Sequence, residues 1–544
     1  MSLATTEPAA ATTTLDYDAI VIGAGMSGMY QLIRLRELGL SARVFEAGTG
    51  VGGTWYWNRY PGARFDSESY SYGFSFDKEL LQEWEWSEHF APQPETLRYL
   101  NHVADRHDLR RDIQFRSPVA AAHYQEASRS WLVTLADGSR HTSRYLITAI
   151  GALSAPTLPR IEGVDSFRGQ AFHTAKWPHD PVDFAGKRVA VIGTGATGVQ
   201  TIQEVAKTAG HLTVFQRTPN WCTPLHNRPI TPEEQVRIKA GYDELFKRCA
   251  ETFACFLHTA DPRGTFEVTP EEREAFYEQL YATPGFAIWV GNFKDTLTDR
   301  AANKEISEFV ARKIRQRVKD PRIADMLIPK DHGFGTRRVP QETHYYEVYN
   351  QPNVTLVDSK ATPIQRITPT GITTSEADYA FDIIIYATGF DALTGAFDRI
   401  DIRGRDGLAL KQKWAGGAQT FVGMLVQDFP NMFMLLGPHT ALGNIPRSIE
   451  YNVEWVSGLL RHMQAHGQTL AEARPEAMRT WTEHVISCAE GLLTFEVDSW
   501  MTGVNSNVEG KQTRSIARYA GSAPAYRAWC DDVAAKGYPD LVLD

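Results

Sequence analysis

The sequence predicts an α/β protein built from two Rossmann-like dinucleotide-binding domains with a helical insertion. Three observations predict it. Gly23-x-Gly25-x-x-Gly28 follows the apolar run Ala19-Ile20-Val21-Ile22. Gly193-x-Gly195-x-x-Gly198 follows Val189-Ala190-Val191-Ile192. Between residues 231 and 329 the pattern changes to long helical stretches. One glycine-rich turn is weak evidence. Two, each preceded by a strand and followed by a helix, imply two dinucleotide sites in one protein.

The elements follow in order. Residues 1–15 are rich in Ala and Thr, lack a basic start or apolar run, and read as a disordered leader, not a signal peptide. Residues 17–50 read as strand, glycine turn, helix through Leu38 and a second strand at 42–46, with Gly39 placed to end the helix. Strands are expected at 131–135 and 145–150. Residues 154–159 hold two prolines and no periodicity, and read as a linker. The second strand–turn–helix–strand unit spans 187–216. Thr231-Pro232-Glu233-Glu234 and Thr269-Pro270-Glu271-Glu272 are helix starts, with Thr as cap, Pro in the first turn and acids facing the positive helix end. Strand patterns return at 353–358 and 382–386. The tail carries a strand at 432–436 and a helix at 449–463, and is expected to fold back onto the N-terminal domain. The expected division is 16–152 with 384–544 for the first dinucleotide, 153–225 with 333–383 for the second, and 226–332 as the insertion.

Composition narrows the function. Net charge is −9 over 544 residues with no Lys/Arg block, which argues against nucleic acid or anionic membrane as partner. No apolar run approaches bilayer length. The cysteines Cys222, Cys249, Cys255, Cys488 and Cys530 form no Cys-x-x-Cys pair and no zinc-spaced cluster, so neither a redox disulfide nor a metal is expected. Free thiols suit a reducing compartment, and a cytoplasmic enzyme fits.

The two sites are not equivalent. An acid ending the second strand of such a unit binds the ribose hydroxyls. In the first unit Glu46 stands there, 23 positions after Gly23. The same count from Gly193 reaches Gln216, followed by Arg217 and Thr218. An acid would repel a 2′-phosphate, whereas Arg pairs with it bidentately. The first site therefore suits a free ribose diol and the second suits NADPH. Two dinucleotides imply a hydride donor and a hydride acceptor, a nicotinamide and a flavin in series.

Phe167-x-Gly169-x-x-x-His173-x-x-x-Trp177-Pro178 resembles the fingerprint of type I Baeyer–Villiger monooxygenases. Gly52-Gly53-Thr54-Trp55, leading to Tyr60-Pro61-Gly62 and Asp66, resembles a second signature of that family, and Ala387-Thr388-Gly389 a third. Trp84-Glu85-Trp86-Ser87-Glu88 is most similar to members acting on cyclic and terpenoid ketones. The resemblance covers nearly the whole chain. It implies FAD in the first site and NADPH in the second, with dioxygen and a small ketone as substrates. One oxygen atom is inserted beside the carbonyl through a flavin peroxide, giving an ester or lactone. The chain would act as a monomer or homodimer.

The resemblance also assigns residues. Arg338, in Gly335-Thr336-Arg337-Arg338, matches the catalytic arginine, and Arg337 stands where the family often has a phosphate-contacting Lys. Asp66 is the expected carboxylate partner of Arg338, since a buried guanidinium needs one to hold its orientation. The expected cofactor contacts are Gly23, Gly25, Ser27, Gly28, Glu46, Gly53, Thr54, Trp55, Asp66 and Tyr72 on the flavin side. On the nicotinamide side they are Gly193, Thr194, Gly195, Thr197, Gly198, Arg217, Thr218, Arg337, Arg338 and Trp500. His173 is expected to act in domain movement and not in chemistry. The chain departs from the family's G-x-N-I-P-G-K at Gly503-Val504-Asn505-Ser506-Asn507-Val508-Glu509-Gly510-Lys511. Rival readings are an N- or S-oxygenating flavin monooxygenase of the same fold, a disulfide reductase, which would need a redox Cys pair, and a non-enzymatic flavoprotein.

Overall fold

The computed structural model describes residues 14–544, so the expected leader lies outside the described residues up to position 13. The apolar run Tyr17–Ile22 becomes a central strand of the first sheet, its last four residues buried. It pairs in parallel with Ala42–Phe45 on one side and Arg140–Thr148 on the other. Outward from Arg140–Thr148 the sheet turns antiparallel through Ser130–Leu135 and Val119–Gln125. The C-terminal tail supplies Met432–Met434, which pairs in parallel with Arg140–Thr148. It also supplies the helix Ile445–Ala465, which packs on the first helix, Met26–Glu37. Gln31 Nε2 donates to Ser457 Oγ at 3.2 Å inside that contact. This helix starts a turn before the expected 449, because Asn444 ends the preceding loop and Pro446 sits in the first turn.

The second sheet has five parallel strands in the order Val354–Asp358, His211–Gln216, Arg188–Ile192, Ile383–Tyr386, Gln170–His173. This corrects the expected boundary at residue 384, which would cut through a strand. Ile383, Ile384, Ile385 and Tyr386 are all buried and pair with both Arg188–Ile192 and Gln170–His173. A strand shielded on both faces is a continuous apolar run, and such a run does not reveal which sheet receives it.

Residues 226–332 are helical, and both expected helix starts form full capping boxes at Thr231 and Thr269. The insertion does not make a body of its own. Tyr277, Ile306, Phe309, Val310 and Ile314 join the core of the second unit. The helix Tyr242–Glu251 packs instead on Ala523–Ala535 and Ser69–Tyr72 of the first unit. No helix among the described residues is long and apolar enough to cross a membrane.

Candidate active site

The two glycine turns are built by the same contact. Gly23 has φ +104°, and a Cβ there would lie 2.5 Å from the carbonyl oxygen of Ala149; Gly193 has φ +107°, with Ala387 O at the same 2.5 Å. Ala149 and Ala387 each follow the strand that pairs in parallel with the one leading into their glycine turn, which places the start of the Ala387-Thr388-Gly389 signature against the second turn. A Cβ on Gly28 would stand 1.9 Å from Gly23 O, and one on Gly198 2.3 Å from Gly193 O. Only glycine lets each helix start so close to its strand. Gly195 differs, since nothing lies within 4 Å of the Cβ position.

Both helices begin uncapped. Gly25 precedes Met26–Glu37 and Gly195 precedes Ala196–Val205; neither helix has a side-chain cap or an acid in its first turn. Elsewhere Asp77, Thr231, Thr269, Asp299 and Asp320 cap their helices with a side-chain oxygen. Free first-turn N–H groups at the positive helix end are an anion site, and the residues present fit a pyrophosphate at each turn. Ser27 lies in the first of these turns and is buried.

The strand ends differ as expected. Glu46 is buried at the mouth of the first turn, its Oε2 accepting from Ala24 N at 2.8 Å and its Oε1 from Gly48 N at 2.6 Å. Burial raises its carboxyl above the ordinary range, against the pull of those two amides. In the second unit the Gln216 side chain turns away to Met326 O at 2.7 Å. Arg217 is exposed and donates to Ser506 Oγ at 2.8 Å. Thr194 Oγ1 donates to Thr218 O at 3.1 Å, and Thr174 Oγ1 to Thr197 Oγ1 at 3.2 Å. Arg337, close enough to Arg217 to feel its charge, has a buried Nε with no acceptor, and burial lowers its guanidinium below the ordinary range. Two neighbouring arginines with an unanswered donor suit a 2′-phosphate.

The second signature presses on the first turn. Gly53 has φ +52°, and a Cβ there would lie 2.8 Å from Gly25 Cα. It opens the short helix Thr54–Trp57, where Thr54 is exposed and Trp55 buried. Trp55 Nε1 donates to Tyr72 OH at 3.2 Å, and Tyr72 stacks on Phe65 with centroids 4.2 Å apart. Next to Phe65, Asp66 accepts from Arg338 Nη2 at 2.8 Å. The Asp66 side chain is 1% exposed and that of Arg338 34%. The carboxylate is buried, and the arginine side chain stays partly exposed. Burial pushes Asp66 above the ordinary carboxylate range, and Arg338 pulls it back.

Trp500 opens a single turn at Trp500–Thr502 and is partly buried. The divergent segment after it docks on the loop beyond Thr388. Asn505 Nδ2 donates to Phe390 O at 2.9 Å, and Lys511 Nζ to Asp391 Oδ1 at 2.5 Å. Ser506, standing where the family has Ile, takes the Arg217 bond. His173 is buried, and its Nδ1 accepts from Ala175 N at 3.0 Å.

A family model described as flavin-binding monooxygenase-like matches residues 18–232. The 2-oxo-Δ3-4,5,5-trimethylcyclopentenylacetyl-CoA monooxygenase of Pseudomonas putida is 47% identical, over 97% of this chain and 98% of that protein. A Baeyer–Villiger monooxygenase of Pseudooceanicola batsensis is 41% identical, over 97% of this chain and 96% of its own length. The chain belongs to the Baeyer–Villiger monooxygenases. A crystal structure of OTEMO in complex with FAD and NADP superposes with a TM-score of 0.94 at 46% identity, covering 98% of this chain and all of that one.

Within this Baeyer–Villiger monooxygenase fold, pattern reading missed the contact between the units. Tyr60 OH donates to Gln200 Oε1 at 2.7 Å, and Gln200 Nε2 to Arg64 O at 3.1 Å. Gly62 has φ +81°, and a Cβ there would lie 2.6 Å from Gln200 O. The Tyr60-Pro61-Gly62 turn is thus where the first unit touches the second helix. Gln200 carries no motif of its own, and nothing in a single sequence marks it.

Proposed function

We propose that the protein is an FAD- and NADPH-dependent monooxygenase that inserts one oxygen atom of dioxygen beside the carbonyl of a cyclic ketone, giving a lactone. Bound FAD supplies the oxygen-activating redox chemistry, and NADPH the hydride. The chain's own residues divide the remaining work. The uncapped helix starts behind Gly25 and Gly195 bind the two pyrophosphates, with Glu46 on the flavin-side ribose. Arg217 and Arg337 hold the 2′-phosphate, which selects NADPH. Thr54, Trp55 and Tyr72 line the flavin cradle, and Thr194, Thr197, Thr218 and Trp500 border the nicotinamide side. Arg338 is the fixed cation beside the reacting carbonyl, where negative charge develops on oxygen. Asp66 holds that guanidinium in place.

One observation carries the reading. The pair Arg338–Asp66 joins a buried carboxylate to an arginine side chain that stays partly exposed. The buried carboxylate fixes the orientation of an arginine that can still meet a ligand. The Pseudomonas putida relative acts on a cyclopentenyl ketone, which supports a ring ketone as substrate. The protein acts with no metal, as a monomer or homodimer, and its five unpaired cysteines support a cytoplasmic setting. The test is to purify the yellow holoenzyme and follow NADPH oxidation across a ring-size series of ketones, with amines and sulfides alongside. Lactone formation stimulated by ketone is expected. N-oxides without any lactone would replace this reading with the amine-oxygenating one.

A further inference from the structure

Arg518 has no role in the reading above, and no motif marks it. Its segment is stitched to two parts of the site. Ser515 N donates to Thr502 O at 2.9 Å, two residues beyond Trp500; His439 N donates to Ala517 O at 3.0 Å, and Tyr519 N to Thr440 O at 3.3 Å. His439 and Thr440 lie just past the strand Met432–Met434. That strand runs parallel to Arg140–Thr148, which runs parallel to Tyr17–Ile22. All three end on the sheet edge that carries the Gly23 turn, the edge where such folds hold their ligands. The rim continues to Asn444, whose Nδ2 donates to Ser71 Oγ at 3.0 Å, beside Tyr72.

Arg518 stands between two buried residues, Ala517 and Tyr519, and Tyr519 belongs to the hydrophobic core of the first unit. Arg518 is partly buried. Among the described residues it has no ion pair, and its Nε is buried without a hydrogen-bond acceptor. Burial pushes the guanidinium down to about 10, with no carboxylate to restore it. Arg317 and Arg447 have carboxylate partners, Glu342 with Glu347 and Glu450, whereas Arg337, assigned above to the 2′-phosphate, shares with Arg518 a buried Nε without an acceptor. An enclosed cation without a counter-charge is costly, and an arriving anion offsets that cost.

We propose that Arg518 is a specificity residue that pairs with an oxyanion, a carboxylate or a phosphate, carried on the ketone substrate. The fork of the guanidinium suits either group bidentately. The proposal rests on the monooxygenase reading, and its test separates the two.

The holoenzyme is assayed with 2-oxocyclopentylacetate, its methyl ester and a phosphate monoester of the same ring ketone. Binding of the acid to oxidised holoenzyme with NADP⁺ is measured in parallel by calorimetry. The wild type is expected to favour an anionic ketone over the ester by about tenfold or more in kcat/KM. The better of acid and phosphate names the source of the oxyanion. Arg518→Met should remove that preference through KM while leaving the ester and the bound flavin unchanged, and Arg518→Lys should restore part of it. The proposal is overturned by an unchanged acid-to-ester ratio in Arg518→Met, by a wild-type preference for the ester, or by flavin loss that weakens all three ketones alike. If no ketone is oxidised but the acid binds in an Arg518-dependent way, the monooxygenase reading falls and the anion site stands.

Discussion

Arg338 Nη2 donates to Asp66 Oδ2 at 2.8 Å across 272 residues of chain, joining the first unit to the segment that follows the helical insertion. The bond sets the guanidinium beside Asp66, close enough to Tyr60 and Tyr72 to act on both hydroxyls. Arg338→Ala should retain flavin and its reduction by NADPH, yet lower ketone oxygenation by about 10²–10³-fold, the usual cost of losing one preorganised charge. It also strands a buried carboxylate. The partial exposure of Arg338 softens that cost, so a loss of about 1–3 kcal/mol is expected. Adding Asp66→Asn should recover stability and not activity. Thermal denaturation and product analysis read the two effects separately. Normal lactone formation by Arg338→Ala would remove the residue from the chemistry.

Arg217 and Arg337 should set coenzyme choice. Charge-assisted bonds to a phosphate contribute about 1.5–3 kcal/mol each. Arg217→Ala should therefore cut the NADPH-to-NADH ratio of kcat/KM by about 10–100-fold, mostly through KM for NADPH. Steady-state kinetics with both coenzymes checks it, and equal losses for NADH and NADPH would point to a folding defect instead. Ser506→Ile should alter this ratio less, because it removes only the resting partner of Arg217.

How much of this could be read from the chain depends on where the constraint resides. Gly23, Gly28, Gly193 and Gly198 were legible because a backbone oxygen forbids any side chain there. The caps Thr231 and Thr269 were legible because the whole motif is local. The boundary near 384 was not, since the sheet that accepts an all-apolar strand is decided by its neighbours. The Tyr60–Gln200 bond and the isolation of Arg518 are properties of distant surfaces, and no spacing rule encodes them.

The glycines make a sharper test of the nucleotide turns. Gly198→Ala places a Cβ 2.3 Å from Gly193 O, so it should destabilise the second unit itself. Gly195→Ala meets nothing within 4 Å and should fold normally. Its methyl group would instead occupy space that a pyrophosphate needs, raising KM for NADPH by about tenfold or more. Melting temperature and coenzyme titration should thus split the two variants. Equal melting losses in both would contradict an open cradle at Gly195.

His173 gives the acid limb of stability. Its Nδ1 accepts from Ala175 N, so the folded protein needs the ring neutral, and burial pushes its pKa down to about 4. Unfolded, the imidazole titrates near its ordinary value of about 6.5. Above that pH both states are neutral and the residue makes no pH-dependent difference. Between about 6.5 and 4 the unfolded chain takes up a proton that the folded one refuses, so stability falls as pH falls. The full loss is about 3 kcal/mol, complete near pH 4. His439, also pushed down to about 4 by burial, adds a parallel loss that His173 variants leave in place. His173→Asn keeps a side-chain acceptor for Ala175 N and cannot charge. Urea unfolding at pH 7.5 and at pH 4.5 should therefore show a smaller acid-induced loss for His173→Asn than for the wild type. Identical losses would mean that His173 is free to protonate in the folded protein, and that its bond to Ala175 does not hold the end of the strand Gln170–His173.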